Sequence, residues 1–141
     1  MVPEPISAES RQLLGQLRDL LLDQHKLLLD SEKATYEAEH GRIASPGQFL
    51  NLVIADPHFA WLKTLSTLVV EIDEALARRS KAGQAEASAL EMLAKDTVRP
   101  RELGTDFQMR YHAAIQQSPD VVILQCRIES LLSGIRSTRT Q

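Results

Sequence analysis

Three proline-centred signals divide the sequence into separate helices. Proline follows a helix-capping residue at Ser45-Pro46, at Asp56-Pro57 and at Ser118-Pro119. A serine or aspartate side chain accepts a hydrogen bond from the free N–H groups of a helix start, and proline at the first helical position loses no hydrogen bond. Because a helix does not continue normally through proline, each pair predicts the start of a new helix.

Apolar residues spaced three and four apart extend these signals into helices. The first helix is expected from about residue 8 to residue 40, with Ser7 as its cap and Gly41 just past its end. The helix that begins at Pro57 is expected to continue without a break to about Arg79. Further helices are expected from Pro46, over residues 84–98, after Thr105 and from Pro119.

These elements predict an all-α fold, a bundle of about four main helices plus one or two short helices. A chain of 141 residues with 43% hydrophobic residues suits one domain with one core, which must be mostly aliphatic because aromatic residues are 4%. The expected layout is a flexible lead-in over residues 1–6, one helical-bundle domain over residues 7–136 and a frayed tail over residues 137–141.

Charge and cysteine content narrow the class of protein. A net charge of −3 and dispersed arginines in the last third argue against a nucleic-acid-binding protein. The single cysteine, Cys126, permits no intrachain disulfide and favours a cytoplasmic protein, and its place in the apolar pattern predicts a buried, inert thiol. Neither a secretory signal nor a membrane span is expected, because the chain has no long apolar run.

Motifs for catalysis and metal binding are incomplete. A dinuclear metal site in a bundle needs two Glu-x-x-His pairs, and the sequence has one, Glu37-x-x-His40. Zinc-ligand spacing is absent as well, because no two of the four histidines lie close together in the sequence. We therefore expect no catalytic residue, no metal and no cofactor.

One polar constellation remains. The apolar face of the first helix turns polar after Leu28, where Glu32, Tyr36 and then Glu39 or His40 follow at helical spacing. If the first helix packs antiparallel to the helix from Pro57, its end lies beside that helix start. The candidate ligand-binding residues are then Tyr36, Glu37, His40, Asp56, His58 and Trp61. The alternative is a structural cluster in which Asp56 only caps its helix and Trp61 only fills the core.

Residues 45–62, SPGQFLNLVIADPHFAWL, resemble a segment shared by small, uncharacterised bacterial proteins of similar length. The Phe107…Tyr111 and Ser118-Pro119-Asp120-Val121-Val122 stretches are similar as well, so the resemblance covers most of the chain. It implies an intracellular bacterial protein and brings no known activity.

Two functional predictions follow from these observations. The first is a non-enzymatic helical-bundle protein that acts by binding, either to a second copy as a homodimer or to a partner protein. It rests on the incomplete catalytic motifs and on aliphatic side chains that short helices would leave exposed. The second is a small-ligand- or metal-binding protein, or an enzyme, with a polar site between the end of the first helix and the Asp56-Pro57 helix start.

Overall fold

The computed structural model describes residues 4–139, with side chains for residues 4–133, and it confirms the predicted all-α fold. Within the described residues no helix is both long enough and apolar enough to cross a membrane. The described part of the chain forms seven helices: α1 (Ala8–His40), α2 (Pro46–Ala55), α3 (Pro57–Ala60), α4 (Lys63–Leu76), α5 (Gln84–Thr97), α6 (Asp106–Gln117) and α7 (Pro119–Arg139).

The 33-residue helix α1 organises the bundle. It starts and stops at the predicted residues, because the Ser7 hydroxyl accepts a hydrogen bond from the Ser10 N–H at 3.1 Å and Gly41 ends the helix at a φ of 88°. Its buried face packs mainly against α4 and α7, and α5 lies beside the same face. The buried residues of α1 are Ser10, Leu14, Leu17, Leu21, Gln24 and Leu28.

The proline signals mark helix starts as predicted, and each capping side chain is engaged. The Ser45 hydroxyl accepts from the Gln48 N–H at 3.1 Å, and an Asp56 carboxylate oxygen accepts from the His58 N–H at 2.8 Å. Gln48, three residues after Ser45, also stands at the position that would complete a capping box. The Gln48 side chain accepts from the N–H of Ala44, at 2.8 Å, rather than from that of Ser45.

The prediction of one uninterrupted helix from Pro57 to Arg79 is wrong. The chain breaks at Trp61 and Leu62 and resumes as α4, which ends at Leu76. In a straight helix Phe59 would lie about 120° around the axis from the stripe that contains Leu65, because each residue advances the helix by about 100°. The break allows Phe59 and that stripe to be buried together.

The prediction that Cys126 is buried is also wrong, because its side chain is exposed. The buried stripe of α7 starts at Val121, and Cys126 lies about 140° around the helix from it. Val122, one residue after the start of this stripe, is 37% exposed for a similar reason. The buried positions of α7 among the described side chains are Val121, Leu124, Gln125, Ile128 and Leu132.

The chain before α1 is held against the start of α5. Ile6 is buried, the Glu4 carbonyl accepts from the Gln84 N–H at 2.9 Å, and the Ser7 N–H donates to the Gln84 side chain at 2.8 Å. These contacts fix residues 4–6 of the predicted lead-in, whose first three residues lie outside the described part. At the other end α7 extends to Arg139, into the predicted tail, and residues 140–141 lie outside the described part.

Gly83 permits this close approach, and we expect Gly83→Ala to lower the free energy of unfolding by about 1–3 kcal/mol. A Cβ atom at position 83 would lie 2.5 Å from the Glu4 carbonyl oxygen, so the backbone must shift. The matched control is Gly15→Ala inside α1, where a Cβ meets no atom within 4 Å. That variant is expected to be more stable by about 0.5–1 kcal/mol. Urea denaturation measures both, and equal effects would contradict the interpretation.

A chain of polar side chains crosses the core and was not predicted. The Gln24 side chain donates to the Tyr111 hydroxyl at 2.7 Å and to the Val121 carbonyl at 3.0 Å. The Tyr111 hydroxyl donates in turn to the Gln125 amide oxygen, whose amide nitrogen donates to the Val98 carbonyl at 2.9 Å. These bonds tie α1, α6, α7 and the end of α5 together through groups that are costly to bury unpaired.

Candidate functional site

The second half of α1 meets α2 and α3 in an aromatic cluster. The Tyr36 ring centroid lies 4.4 Å from that of His40, 5.7 Å from that of His58 and 5.6 Å from that of Phe59. Phe59 is buried, and Phe49 of α2 meets its ring edge-on with centroids 5.8 Å apart. We call these five residues the aromatic cluster. Contacts between rings at such distances stabilise packing beyond the area that they bury.

His58 joins α3 to α1 through Glu32, which was not among the predicted site residues. The His58 Nε2 atom lies 3.0 Å from a Glu32 carboxylate oxygen and 3.0 Å from the Glu32 carbonyl oxygen. Because both partners are acceptors, Nε2 carries the proton and donates. Glu32 lies one turn before Tyr36, so the same helical spacing that identified Tyr36 also pointed to it.

The other predicted polar residues bind the backbone or face solvent. A Glu37 carboxylate oxygen accepts from the Ile43 N–H at 2.9 Å and so holds the connection between α1 and α2. Asp56 caps α3, as described above. The side chain of His40 is 54% exposed, and its nearest charged neighbour is Glu39 at 4.0 Å.

Trp61 lies apart from the aromatic cluster. It is buried, with its ring centroid 5.6 Å from that of Phe107 on α6. It also borders a cleft of about 180 Å³ between α1 and α6, and Glu32 and Arg110 contribute polar groups to that cleft. Glu32 is therefore the residue that connects the two halves of the predicted site.

The polar residues of the site hold α2 and α3 in place and engage backbone groups. Glu37 and Asp56 accept hydrogen bonds from backbone N–H groups, and Glu32 accepts one from His58. Within the described residues no three histidine, cysteine, aspartate or glutamate side chains are placed to hold a metal ion. Glu37, Asp56 and His58, which were found from the sequence, thus help to hold α2 and α3 in place.

The helix α2, which these residues hold in place, exposes an unusually apolar surface. Its ten residues, PGQFLNLVIA, contain no charge, and none of them is buried. Leu50 is 58% exposed and Ile54, one turn later, is 74% exposed. We call the exposed side of α2 that carries these two residues the α2 surface. The sequence signal for it was a helix of mostly apolar residues, interrupted only by Gln48 and Asn51, that has no charged residue.

One edge of α2 is nevertheless fixed. Phe49 is half-buried against Phe59, and the Lys33 ammonium of α1 lies 5.0 Å from the Phe49 ring centroid. A cation above an aromatic ring is attracted by the ring electrons. The α2 surface is therefore the side that remains after α3 and the end of α1 have covered the other side.

Comparison with known proteins adds no relative to this description. No protein-family model, curated protein or solved structure matches the chain.

Proposed function

We propose that this protein is a non-enzymatic helical-bundle protein that binds another protein chain, with the α2 surface as the contact. The observation that carries the proposal is the exposure of Leu50 and Ile54 on a helix without any charge. A helix of a globular protein normally buries its apolar face in its own core. A contiguous apolar area left in solvent marks an interaction surface.

The attachments of α2 support this proposal. The helix is capped at its start by Ser45, closed at its end by Asp56 and held along one edge by Phe59 and Lys33. A helix that is already ordered loses little conformational entropy when a partner binds, so more of the apolar contact is expressed as affinity. The polar residues of the predicted site then act by presenting the α2 surface.

The setting of this activity belongs to the same proposal. A cytoplasmic protein is supported by the single cysteine, and a bacterial one by the resemblance of residues 45–62 to uncharacterised bacterial proteins.

Site-specific photo-crosslinking in the cells that produce the protein tests the proposal. A benzophenone amino acid replaces Leu50 or Ile54, and the control carries it at Leu22 of α1, which is 48% exposed but lies outside α2. We expect crosslinked adducts from positions 50 and 54 and few from position 22. Equal yields from all three positions, or none from the α2 positions, would contradict the proposal.

A further inference from the structure

We propose that α2 docks into a groove between α4 and α5 of a second copy of this chain, and that two copies exchange their α2 helices reciprocally. This inference rests on the proposed function of the α2 surface. It adds the identity of the partner and the place where α2 is received.

The receiving surface is a groove that runs along α4. One part, of about 550 Å³, is bordered by α3, α5 and the start of α6, and the next part, of about 480 Å³, lies between α4 and α5. Ala60, Thr64, Leu93 and Thr97 line both parts, so the two form one continuous depression, which we call the α4–α5 groove. Its buried lining residues are Trp61, Leu68, Phe107 and Gln108.

The chemistry of the groove matches that of α2. The four residues shared by both parts are uncharged, and Leu93 is 46% exposed there. The groove also has four charged lining residues, Lys63, Glu71, Asp96 and Asp106. All four are exposed, so their charged groups lie at the edge of the groove in contact with water. An uncharged helix with apolar anchors one turn apart is the ligand that such a groove accepts.

The two surfaces cannot satisfy each other within one chain. Asp56 is both the last cap of α2 and the first cap of α3, so one residue links the two helices. Since α3 itself contributes Pro57 and Ala60 to the groove, a link of one residue does not let α2 turn back into it. A second copy supplies the missing groove without any such constraint.

The size of the contact favours reciprocal exchange over a single docking. A ten-residue helix is about 15 Å long, so a single docked helix buries only part of the roughly 800 Å² that each partner of a stable complex buries. When two copies exchange α2, each copy buries both a helix face and a groove, and the area that each copy buries doubles. A closed dimer also covers both unpartnered surfaces at once.

Sedimentation of the purified full-length chain and three variants tests the inference. Ile54→Glu alters α2 and leaves the groove intact, Leu93→Glu alters the groove and leaves α2 intact, and Leu22→Glu adds the same charge elsewhere. We expect the wild type and Leu22→Glu to be dimers. Ile54→Glu and Leu93→Glu should dimerise at least about 30-fold more weakly, because each places a carboxylate in an apolar contact. Circular dichroism confirms that each variant is folded.

Mixing Ile54→Glu with a Leu93→Lys variant gives the sharpest result. Ile54→Glu retains a normal groove and Leu93→Lys retains a normal α2, so the heterodimer has one intact helix–groove contact and a second contact in which the two introduced charges attract each other. An equimolar mixture should therefore form heterodimers more readily than either variant forms homodimers. No heterodimer above the level of either variant alone would overturn the inference. A fully dimeric Leu93→Glu would also overturn the inference, because it would show that α2 pairs with α2 and not with the groove. Assembly of the wild type beyond two copies would overturn it as well.

The failure of this inference is distinguishable from that of the proposed function. A wild type that stays monomeric up to about 1 mM, well above common dissociation constants, removes the second copy as partner. Crosslinks from positions 50 and 54 to a different protein would then still support the α2 surface as a binding surface. The absence of those crosslinks would contradict both the further inference and the proposed function.

Discussion

Phe59→Ala is expected to lower the free energy of unfolding by about 3–5 kcal/mol and to loosen α2 from the bundle. The ring is 1% exposed and contacts Tyr36, Phe49 and His58, so its removal leaves a cavity where α1, α2 and α3 meet. Urea denaturation measures the loss of stability. Amide hydrogen exchange measures the second effect, which should appear as faster exchange in residues 46–55.

Phe107→Ala is the matched control for this prediction. Phe107 is also buried, at 4% exposure, but it packs on Trp61 and Tyr111 on the other side of the bundle. We expect a similar loss of stability with no selective change in the exchange of α2. If both variants accelerate exchange in α2 equally, Phe59 has no special role in attaching the helix. Because Phe59 lies beneath α2, its loss should also weaken crosslinking at position 54.

Tyr111→Phe is expected to lower the free energy of unfolding by about 2–4 kcal/mol, although it removes a single oxygen atom. The hydroxyl accepts from the Gln24 side chain and donates to the Gln125 side chain, and all three residues are buried. Without it one buried donor and one buried acceptor lose a partner, which costs more than the hydrogen bonds themselves contribute. The control is Tyr36→Phe, which removes a hydroxyl from a half-buried residue outside this network. Equal effects in urea denaturation would contradict the argument.

The same residue makes stability sensitive to alkaline pH. Burial raises the pKa of Tyr111 well above its ordinary value; the hydrogen bond from Gln24 lowers it and the nearby Glu129 carboxylate raises it further. In the unfolded chain this tyrosine loses its proton near pH 10, whereas the folded chain keeps it to higher pH. Above pH 10 the free energy of unfolding therefore falls by up to about 1.4 kcal/mol for each pH unit. Tyr111→Phe should lack this contribution and Tyr36→Phe should retain it.

The helix boundaries were readable from the sequence because local chemistry determines them. Ser7, Gly41 and the Ser-Pro and Asp-Pro pairs act on groups within a few residues, and the structure uses them as predicted. The interruption at Trp61 was not readable in this way. It arises because Phe59 packs on the end of α1, far away in the sequence, and no local signal reports that contact.

The candidate site was predicted in part for the same reason. Helical spacing along α1 placed Tyr36 and His40 on one side, and the antiparallel packing brought His58 to them. Trp61 faces away from the cluster because the helix breaks at this residue. The contact between Glu32 and His58 depends on side-chain geometry. Likewise, Gln24 and Gln125 look like surface residues in a sequence. Their burial follows from the way in which α1, α6 and α7 converge.

The pairing of the first long helix with the last has a consequence for how the protein is made. α1 packs against both α4 and α7, so the part of its apolar face that α7 covers has no final partner until α7 has been synthesised. About 100 residues follow α1, and at ribosomal rates of 5–20 residues per second their synthesis takes on the order of 5–20 s. During that time the part of α1 that α7 covers in the folded protein is exposed on the nascent chain. Because exposed apolar surface promotes aggregation, we expect rapid production of the protein to yield aggregates of incompletely folded chains.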